Sequence, residues 1–430
     1  MYNKLVYIET YGCSANQNNS EILAGLLTQS GYQITNNKEI ADTVILNTCV
    51  VKNKTEKKIK RKLQDLAKED KLTIVTGCMP DTDAANIKKL NPQALLVGTK
   101  QLTTIVKTIN DKNSPLRITN SFIKEKEEKI LLPKIPFNKL VSITQISEGC
   151  LSHCTFCKTK LSKGNLHSYP QEKIITSIKN DLVAGAKEVW LTSQGNECYG
   201  MDKGKRELPP LLEKILNLPH TFKLRLGMMN PKNVLPILDE LVQIYKHPKM
   251  YKFLHIPIQS AANSVLEEMK RNYTIKEAET IITAFQKVFP DITIATDIIT
   301  GYPTESEIHH QENIKFIQTY KPSVLNLSKF SKHKNTQADS LTELPIEILN
   351  KRNAELMRVH RNTAAENKKA FLNKKIKVLV NTKTTMQNIY EARDENYNIV
   401  LVKSTDKVIL GKTKEVTITK LGVHHMIGEL

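Results

Sequence analysis

The chain has 430 residues, 40% of them hydrophobic, which is too long for one small core and predicts two or three domains. No run of about twenty apolar residues occurs and the start MYNKLVYIET has the pattern of a first strand, so we expect neither a membrane helix nor a signal peptide but a cytoplasmic protein. The net charge of +19 favours a polyanionic partner such as nucleic acid, or else a surface rich in solvated lysine.

The first region, residues 1–120, alternates short apolar runs with amphipathic stretches. Strands are predicted at residues 4–9, 43–47, 72–75 and 95–97, with helices near 20–30 and 55–67. This order predicts a small parallel sheet with crossover helices. The charged segment 123–131 has no pattern of its own and is predicted to be a linker or a lone connecting strand.

The second region, residues 132–365, repeats a strand followed by a helix. Six strands are predicted, at residues 140–146, 188–194, 222–228, 252–259, 292–300 and 323–330. Six such units predict an open (β/α)6 barrel in this α/β chain, and parallel barrels carry their chemistry on the loops that leave the carboxyl ends of the strands.

The third region, residues 369–430, loses the helical period. Short alternating runs at residues 377–380, 398–402, 408–410 and 415–419 predict a small β-barrel. Its many lysines suit nucleic-acid binding, and a capping domain is an equal alternative.

Three of the seven cysteines form the spacing Cys-x-x-x-Cys-x-x-Cys directly after the first barrel strand. Cys150, Cys154 and Cys157 can hold three corners of a [4Fe–4S] cluster and leave the fourth iron open for chemistry. Seven cysteines in so long a chain make a poor disulfide framework, which favours metal or redox chemistry.

Three other cysteines each follow a predicted strand of the first sheet. Cys13, Cys49 and Cys78 should meet at one edge, because the carboxyl ends of parallel strands share an edge, where ligands commonly bind. Gly12 and Gly77 beside them permit close backbone approach. We therefore predict a second three-cysteine cluster site. The alternatives are three small buried side chains, or a structural zinc site that lacks a fourth protein ligand.

Several segments of the chain resemble those of a known enzyme family. The segment GCLSHCTFCKTKLSKGNLHSYP resembles the cluster loop of radical S-adenosylmethionine (SAM) enzymes, and TYGCSANQNNSE, NTCVVKNKTE and TGCMP resemble the cysteine segments of the methylthiotransferases in that superfamily. The later segments resemble the archaeal and eukaryotic branch, the tRNA threonylcarbamoyladenosine methylthiotransferases: KEVWLTSQ, LRLGMMNP, FLHIPIQS, MKRNYT, ATDIITGYPTE and LNLSKFS. Residues 369–430 occupy the place of that family's TRAM domain.

The resemblance implies two [4Fe–4S] clusters and S-adenosylmethionine as cofactors. The cluster on Cys150, Cys154 and Cys157 would bind and cleave S-adenosylmethionine, and the resulting radical would take hydrogen from carbon 2 of threonylcarbamoyladenosine next to the anticodon of tRNA. The cluster on the other three cysteines would carry the sulfur, which a second S-adenosylmethionine methylates. An electron donor and a sulfur source are also implied, and the sequence identifies neither.

Four residues, three of them at strand ends, are candidates for binding S-adenosylmethionine. Gln194, Gln259 and Ser260 face the predicted site, although strand ends also carry polar residues as solvated caps. Arg271, in MKRNYT, is placed to hold a carboxylate or phosphate, or is a surface arginine. Cys198, the seventh cysteine, fits a small buried or partly exposed thiol better than a ligand.

Further positions have weaker indications. His255 lies in an apolar strand and is interpreted as a core histidine. Asp297 and Thr304 lie where a strand passes into the turn GYPTE, and the basic helix of residues 54–68 either steers tRNA or is a solvated face. The chain departs from the family pattern at Gly195, where Asp is usual, at Ala261, where Gly is usual, and at KHKNTQA, which replaces a turn containing Pro-Gly. We expect these changes to alter local contacts and to preserve activity.

Two rival functions remain open at this stage. One is the same radical chemistry on an aspartate of a ribosomal protein, as in a related branch, although LTSQ and LRLGMMNP favour the tRNA branch. The other is a non-enzymatic iron–sulfur RNA-binding module, which would need no pocket for S-adenosylmethionine.

Overall fold

The computed structural model describes residues 4–111 and 127–430, so residues 1–3 and 112–120 of the predicted first region, and 123–126 of the predicted linker, lie outside the described residues. The first sheet has strands β1 (Leu5–Thr10), β2 (Gln33–Thr35), β3 (Thr43–Thr48), β4 (Leu72–Gly77) and β5 (Leu95–Leu96). They are all parallel, in the order β2-β1-β3-β4-β5. Its helices are α1 (Ser14–Gln29), α2 (Asn53–Leu66), α3 (Pro80–Leu90) and α4 (Ile105–Asn110).

The central strand and the neighbouring helix show why this sheet forms. Every residue of β3, TVILNT, is buried, as expected of a parallel strand covered on both faces. Helix α2 buries Ile59, Leu63 and Leu66, which share one face at helical spacing, and leaves its lysines outward. The predicted parallel sheet is confirmed.

The second part contains six main strands and a short antiparallel pair, β7 and β8. The strands are β6 (Val141–Gln145), β7 (Ser147–Glu148), β8 (His167–Ser168), β9 (Glu188–Thr192), β10 (Lys223–Leu226), β11 (Phe253–His255), β12 (Thr293–Thr300) and β13 (Val324–Lys329). Its helices are α5 (Lys158–Lys163), α6 (Gln171–Val183), α7 (Leu208–Leu216), α8 (Pro231–Val234), α9 (Leu238–Tyr245), α10 (Asn263–Glu268), α11 (Ile275–Val288), α12 (Glu307–Tyr320) and α13 (Ile346–Lys369).

The six main strands run parallel and follow one another in chain order. Sheets β6-β9-β10 and β11-β12-β13 are joined by a parallel bridge between Leu224 and Met250. The outer strands are β6 and β13, so the predicted open (β/α)6 barrel is confirmed. Its core holds the apolar faces of the helices against Val189, Leu224 and Ile294.

The third part is a closed five-stranded barrel. Its strands are β14 (Lys375–Lys383), β15 (Ile389–Arg393), β16 (Ile399–Lys403), β17 (Thr413–Leu421) and β18 (Met426–Glu429), closed in the order β14-β15-β16-β18-β17. The predicted small barrel is confirmed, but the strand predicted at residues 408–410 is wrong. Lys407–Ile409 form a single 3-10 turn, in which Ile409 is buried and Val408 is exposed.

Helix α1 joins the first sheet to the open barrel. The Asn18 amide donates to the Ile143 carbonyl of β6 at 2.8 Å, and the Ile135 N–H donates to the Glu21 carbonyl at 2.9 Å. The described part of the predicted linker is also packed against the protein, although its sequence showed no structural pattern. Lys129 is 3% exposed and pairs with Glu148. The two parts are therefore packed closely together.

The domain boundaries stay predictions, and helix α13 runs continuously through the one predicted between residues 365 and 369. No helix in the described parts of the chain is long and apolar enough to span a bilayer.

Candidate functional site

The cysteine loop (residues 149–157) leaves the carboxyl end of the first barrel strand, after the short strand β7. The Cys150 N–H donates to the Gly164 carbonyl at 3.1 Å, and the Cys157 N–H donates to the Cys154 carbonyl at 3.1 Å. Burial, together with the nearby sulfurs of Cys154 and Cys150, raises the pKa of Cys157 to about 11. The structure thus gathers these three thiols on one compact loop.

Two predicted residues hold the cysteine loop in place. The Gln194 side-chain oxygen accepts from the Gly149 N–H at 2.7 Å, so the end of β9 supports the start of the loop. Arg271, 8% exposed, donates through Nη1 to the Cys154 sulfur at 3.4 Å and through Nη2 to the Pro257 carbonyl at 2.9 Å. Arg271 is therefore a buried arginine at the site and not a surface residue.

Cys13, Cys49 and Cys78 follow β1, β3 and β4, three adjacent strands of the first sheet. Burial raises the pKa of Cys49 to about 12, with further increases from Cys78 and Cys13, so the three thiols lie near one another. Gly12 has φ +104°, and a Cβ on it would lie 2.9 Å from the Cys49 sulfur. Only glycine leaves this sulfur free of a neighbouring side chain.

The two cysteine sets fit iron–sulfur clusters better than single metal ions. Within residues 4–111 and 127–430, no three His, Cys, Asp or Glu side chains are arranged around one ion. A [4Fe–4S] cluster makes a different demand, because each iron takes its own cysteine around a larger inorganic core. Soft thiolates suit such a core, whereas structural zinc sites are closed by four protein ligands.

Helix α5 connects the two sets of cysteines. It begins directly after Cys157 and ends at Lys163, whose ammonium opposes the effect of burial on the pKa of Cys78. Lys163 is 2% exposed and lies 2.7 Å from Glu148 Oε1, which Lys129 also contacts at 2.7 Å. This buried triad (Lys129, Glu148 and Lys163) fixes the helix between the two sites, and the sequence pattern did not indicate it.

A groove of about 790 Å³ opens beside both cysteine sets, between the start of α2 and the end of β13. Its lining includes the apolar side chains of Val51, Phe156 and Phe330. Val51 follows Cys49 by two residues, and Phe156 lies between Cys154 and Cys157.

The rim of this groove is basic. Four exposed lysines contribute to it, Lys52, Lys54, Lys57 and Lys329, against the one carboxylate of Glu343. Only the first turn of the predicted basic helix therefore reaches the site. The aromatic residues Phe156 and Phe330 were not predicted, because their significance depends on the tertiary neighbours.

The remaining predicted residues have local roles in the structure. Ser260 is fully buried and its hydroxyl accepts from the Ala262 N–H at 3.2 Å, while Gln259 has φ +67° and bridges to β12 through its backbone. His255 Nε2 lies 2.6 Å from Asp297 Oδ2 on the adjacent strand, so this histidine has a partner, but it is half-buried and not a full core residue.

Cys198 is buried, and its hydrogen bonds go to residues outside both cysteine sets. Its thiol donates to Glu197 Oε1 at 3.2 Å and its sulfur accepts from the Asn233 amide at 3.2 Å. These bonds agree with a buried thiol.

Comparisons with known proteins agree with the fold. Residues 5–98 match the model of the uncharacterized protein family UPF0004, and residues 144–317 match the radical SAM superfamily. A solved structure of the radical S-adenosylmethionine methyltransferase TsrM from Kitasatospora setae is 11% identical and has a TM-score of 0.56, covering 78% of this chain and 75% of that one. At that identity the likeness concerns the fold alone. The barrel and its cysteine loop define a radical SAM protein.

Curated relatives match almost the whole chain. The probable threonylcarbamoyladenosine tRNA methylthiotransferase of Pyrococcus horikoshii is 35% identical over 99% of this chain and 99% of its own. The threonylcarbamoyladenosine tRNA methylthiotransferase of Homo sapiens is 35% identical over 99% of this chain and 73% of its own. The chain therefore belongs to the threonylcarbamoyladenosine tRNA methylthiotransferase family. It is a radical SAM transferase, with S-adenosylmethionine and an iron–sulfur cluster as its cofactors.

Proposed function

We propose that this chain adds a methylthio group to carbon 2 of N6-threonylcarbamoyladenosine, next to the anticodon of tRNA. The observation that carries the proposal is the groove. Val51, close in sequence to Cys49, and Phe156, between Cys154 and Cys157, both line it. A substrate base in this groove is bordered by both sites. The names of the curated relatives support this choice of substrate over a ribosomal protein.

In this proposal the chain binds two clusters. Cys150, Cys154 and Cys157 hold the cluster that binds S-adenosylmethionine, and Cys13, Cys49 and Cys78 hold a second one. When bound, the clusters and S-adenosylmethionine supply a carbon radical and a methylated sulfur, while the protein supplies binding and aim. Three thiols in each set leave one iron of each cluster without a cysteine ligand.

The surrounding residues position the cysteine loop and the cofactor. Arg271 holds Cys154 against the end of β11, and Gln194 holds the residue before Cys150. Gln259 and Ser260 are the weaker candidates for contacting S-adenosylmethionine, because the Ser260 hydroxyl is already used within its own turn.

The groove offers the contacts that a single-stranded nucleotide requires. Phe156, which is partly exposed, provides aromatic surface for stacking an unpaired base, and Lys54, Lys57 and Lys329 provide positive charge for the tRNA backbone and for the carboxylate of the threonyl group. A reductant and a sulfur source complete the reaction, and we assign both to separate partners.

Nucleoside mass spectrometry tests the proposal. Cluster-reconstituted chain is incubated anaerobically with S-adenosylmethionine, dithionite and tRNA that carries threonylcarbamoyladenosine, beside a Cys49→Ala control. We expect a methylthio mass gain in the wild-type reaction that the control lacks. Formation of 5′-deoxyadenosine without any mass gain would retain the radical chemistry and reject tRNA in favour of a protein substrate.

A further inference from the structure

An acidic side chain occupies an unexpected place at the carboxyl end of β9. Gly195 has φ −176°, an extended conformation that any residue adopts. A Cβ on Gly195 would lie 2.9 Å from Glu197 Oε1 and 3.2 Å from Glu197 Oε2. The space of a side chain at position 195, where the family pattern has Asp, is thus filled by the carboxylate of Glu197.

This carboxylate is buried and incompletely bonded. Glu197 is 1% exposed, and its Oε1 accepts from the Cys198 thiol at 3.2 Å. The backbone N–H groups of Glu197 and Asn230 lie near this carboxylate, but among the residues that the structure describes none makes a hydrogen bond of normal geometry to Oε2. Burying a carboxylate oxygen without a donor is costly, so native proteins nearly always supply one. The missing donor is expected to come from a ligand.

The turn that carries Glu197 lies against the cysteine loop. Gln194, directly before Gly195, bonds Gly149 at 2.7 Å, next to Cys150. On the other side, the Asn196 N–H donates to the Met228 carbonyl at 3.2 Å, and Asn230 contacts Ser152 of the cysteine loop at 3.5 Å. These contacts place the carboxylate beside Cys150, where the proposed function puts S-adenosylmethionine.

Building on that proposed function, we infer that Glu197 Oε2 binds the α-ammonium group of S-adenosylmethionine and replaces the carboxylate that this chain lacks at position 195. S-adenosylmethionine has two cationic centres, and only the ammonium carries N–H donors. A carboxylate oxygen without a partner is satisfied by the ammonium and not by the sulfonium. This role of Glu197 depends on the glycine that this chain has at position 195, and the sequence pattern did not indicate it.

Ligand binding to the cluster-reconstituted full chain tests the inference by anaerobic equilibrium dialysis. We expect Glu197→Gln to weaken binding of S-adenosylmethionine by about 10- to 100-fold, the range for losing a charged hydrogen bond. S-adenosylhomocysteine, which has the ammonium and no sulfonium, should weaken by the same factor. An analogue of S-adenosylhomocysteine without the amino group should bind wild type and variant equally.

Two further variants separate this role from a structural one. Gly195→Asp combined with Glu197→Ala moves the carboxylate back to position 195, where the backbone permits Asp, and should restore preference for ligands with the amino group. Glu213→Gln, on the exposed side of α7, is the matched control and should bind like wild type. Iron content and the absorption spectrum verify that each variant retains its clusters.

The outcomes are distinguishable. Equal affinity of wild type and Glu197→Gln for S-adenosylmethionine would overturn the inference and leave the proposed function intact. Weakened binding of S-adenosylmethionine alone, with S-adenosylhomocysteine unaffected, would assign Glu197 to the sulfonium and also overturn it. If the variant with Gly195→Asp and Glu197→Ala keeps its iron and does not regain preference for ligands with the amino group, Glu197 does not replace a carboxylate at position 195. Absence of any binding by wild type would reject the proposed function itself.

Discussion

Glu148 is a carboxylate held between two ammonium groups in the buried triad, with Lys129 and Lys163 both 2.7 Å from its Oε1. Burial alone would raise its pKa, but the two ammonium groups lower the pKa of Glu148 from 4.5 to about 2. Such an ionic group adds little net stability over an apolar core, yet removing one member leaves uncompensated buried charge.

Glu148→Gln is therefore expected to lower the free energy of unfolding by about 3–5 kcal/mol at neutral pH. The lowered pKa means that wild type holds this stability above pH 4.5 and loses it as the pH falls toward about 2. Urea unfolding followed by the fluorescence of Trp190, the single tryptophan, measures the difference at several pH values. A difference that stays constant between these two pH values would contradict the argument.

The seven cysteines should divide into six ligands and one buried thiol. Replacing Cys13, Cys49 and Cys78 together by Ala should remove about half of the iron that the reconstituted chain binds, because one of two equal clusters is lost. Cys198→Ser should leave the iron content unchanged, since that thiol already bonds Glu197 and Asn233. Colorimetric iron determination on folded protein is sufficient, and iron loss from the Cys198 variant would make it a ligand.

For single residues, the sequence predicted the sites that cysteine spacing and position at strand ends can indicate. Cys13, Cys49 and Cys78 were placed together because each follows a strand of one parallel sheet. Glu197 and Lys163 were missed, because a lone acidic or basic residue gains meaning only from partners that are distant in sequence.

Among the elements, helix α2 places its first turn on the groove and its remainder elsewhere. Lys54 and Lys57 line the groove, whereas Lys60 pairs with Glu56 at 2.8 Å and Lys62 with Glu9 at 3.3 Å. The sequence treated all these lysines alike, as one basic helix. Only the folded neighbours distinguish the lysines that line the groove from those that other described residues already pair.

Replacing Lys54 and Lys57 by Ala should weaken tRNA binding and reduce its salt dependence. Each lost phosphate contact lowers the slope of log affinity against log salt by about 0.7 for a single strand. Lys68→Ala, in an exposed lysine just beyond the end of α2, is the matched control. Filter binding at several salt concentrations gives the slopes, and equal slopes for both variants would reject the groove as the tRNA contact.

The strands of the open barrel were predicted because each is a short apolar run followed by a helix, although β11 is shorter than the predicted residues 252–259 and β13 has no buried residue. The strands of the closed barrel were harder to predict. Strands β15 and β18 were missed and residues 408–410 were misassigned, since closure depends on a parallel pairing of β16 with β18 that no local pattern records. Val408 and Leu410 are exposed, so their apolar character did not indicate a strand.

For the whole molecule, the decisive contact is that of the closed barrel with the amino-terminal ends of the open-barrel strands. Tyr397 packs edge to face on Trp190 and Tyr251, with centroid distances of 6.2 and 4.9 Å. Arg225 lies 5.2 Å from the Tyr397 ring, and the Asn381 amide donates to Glu188 at the start of β9 at 2.8 Å. The two barrels therefore share a small aromatic core.

Tyr397→Ala should lower the free energy of unfolding by about 3 kcal/mol, as expected for removing a buried aromatic ring. Tyr397→Phe keeps the ring and should remain close to wild type. Thermal unfolding monitored at Trp190 measures both, because this side chain lies directly against the substituted ring. Equal stability of the Ala and Phe variants would show that the ring does not join the two barrels.

The contact around Tyr397 also bears on the route by which ligands enter and leave the protein. The closed barrel packs around Tyr397 at the amino-terminal ends of the strands, whereas the groove adjoins the cysteine loop at the other end. When two ligands enter from the same side, the ligand bound deeper leaves only after the ligand above it. Spent cofactor beside Cys150 would then depart after the polynucleotide, which makes release of the large product the step that permits the next turnover.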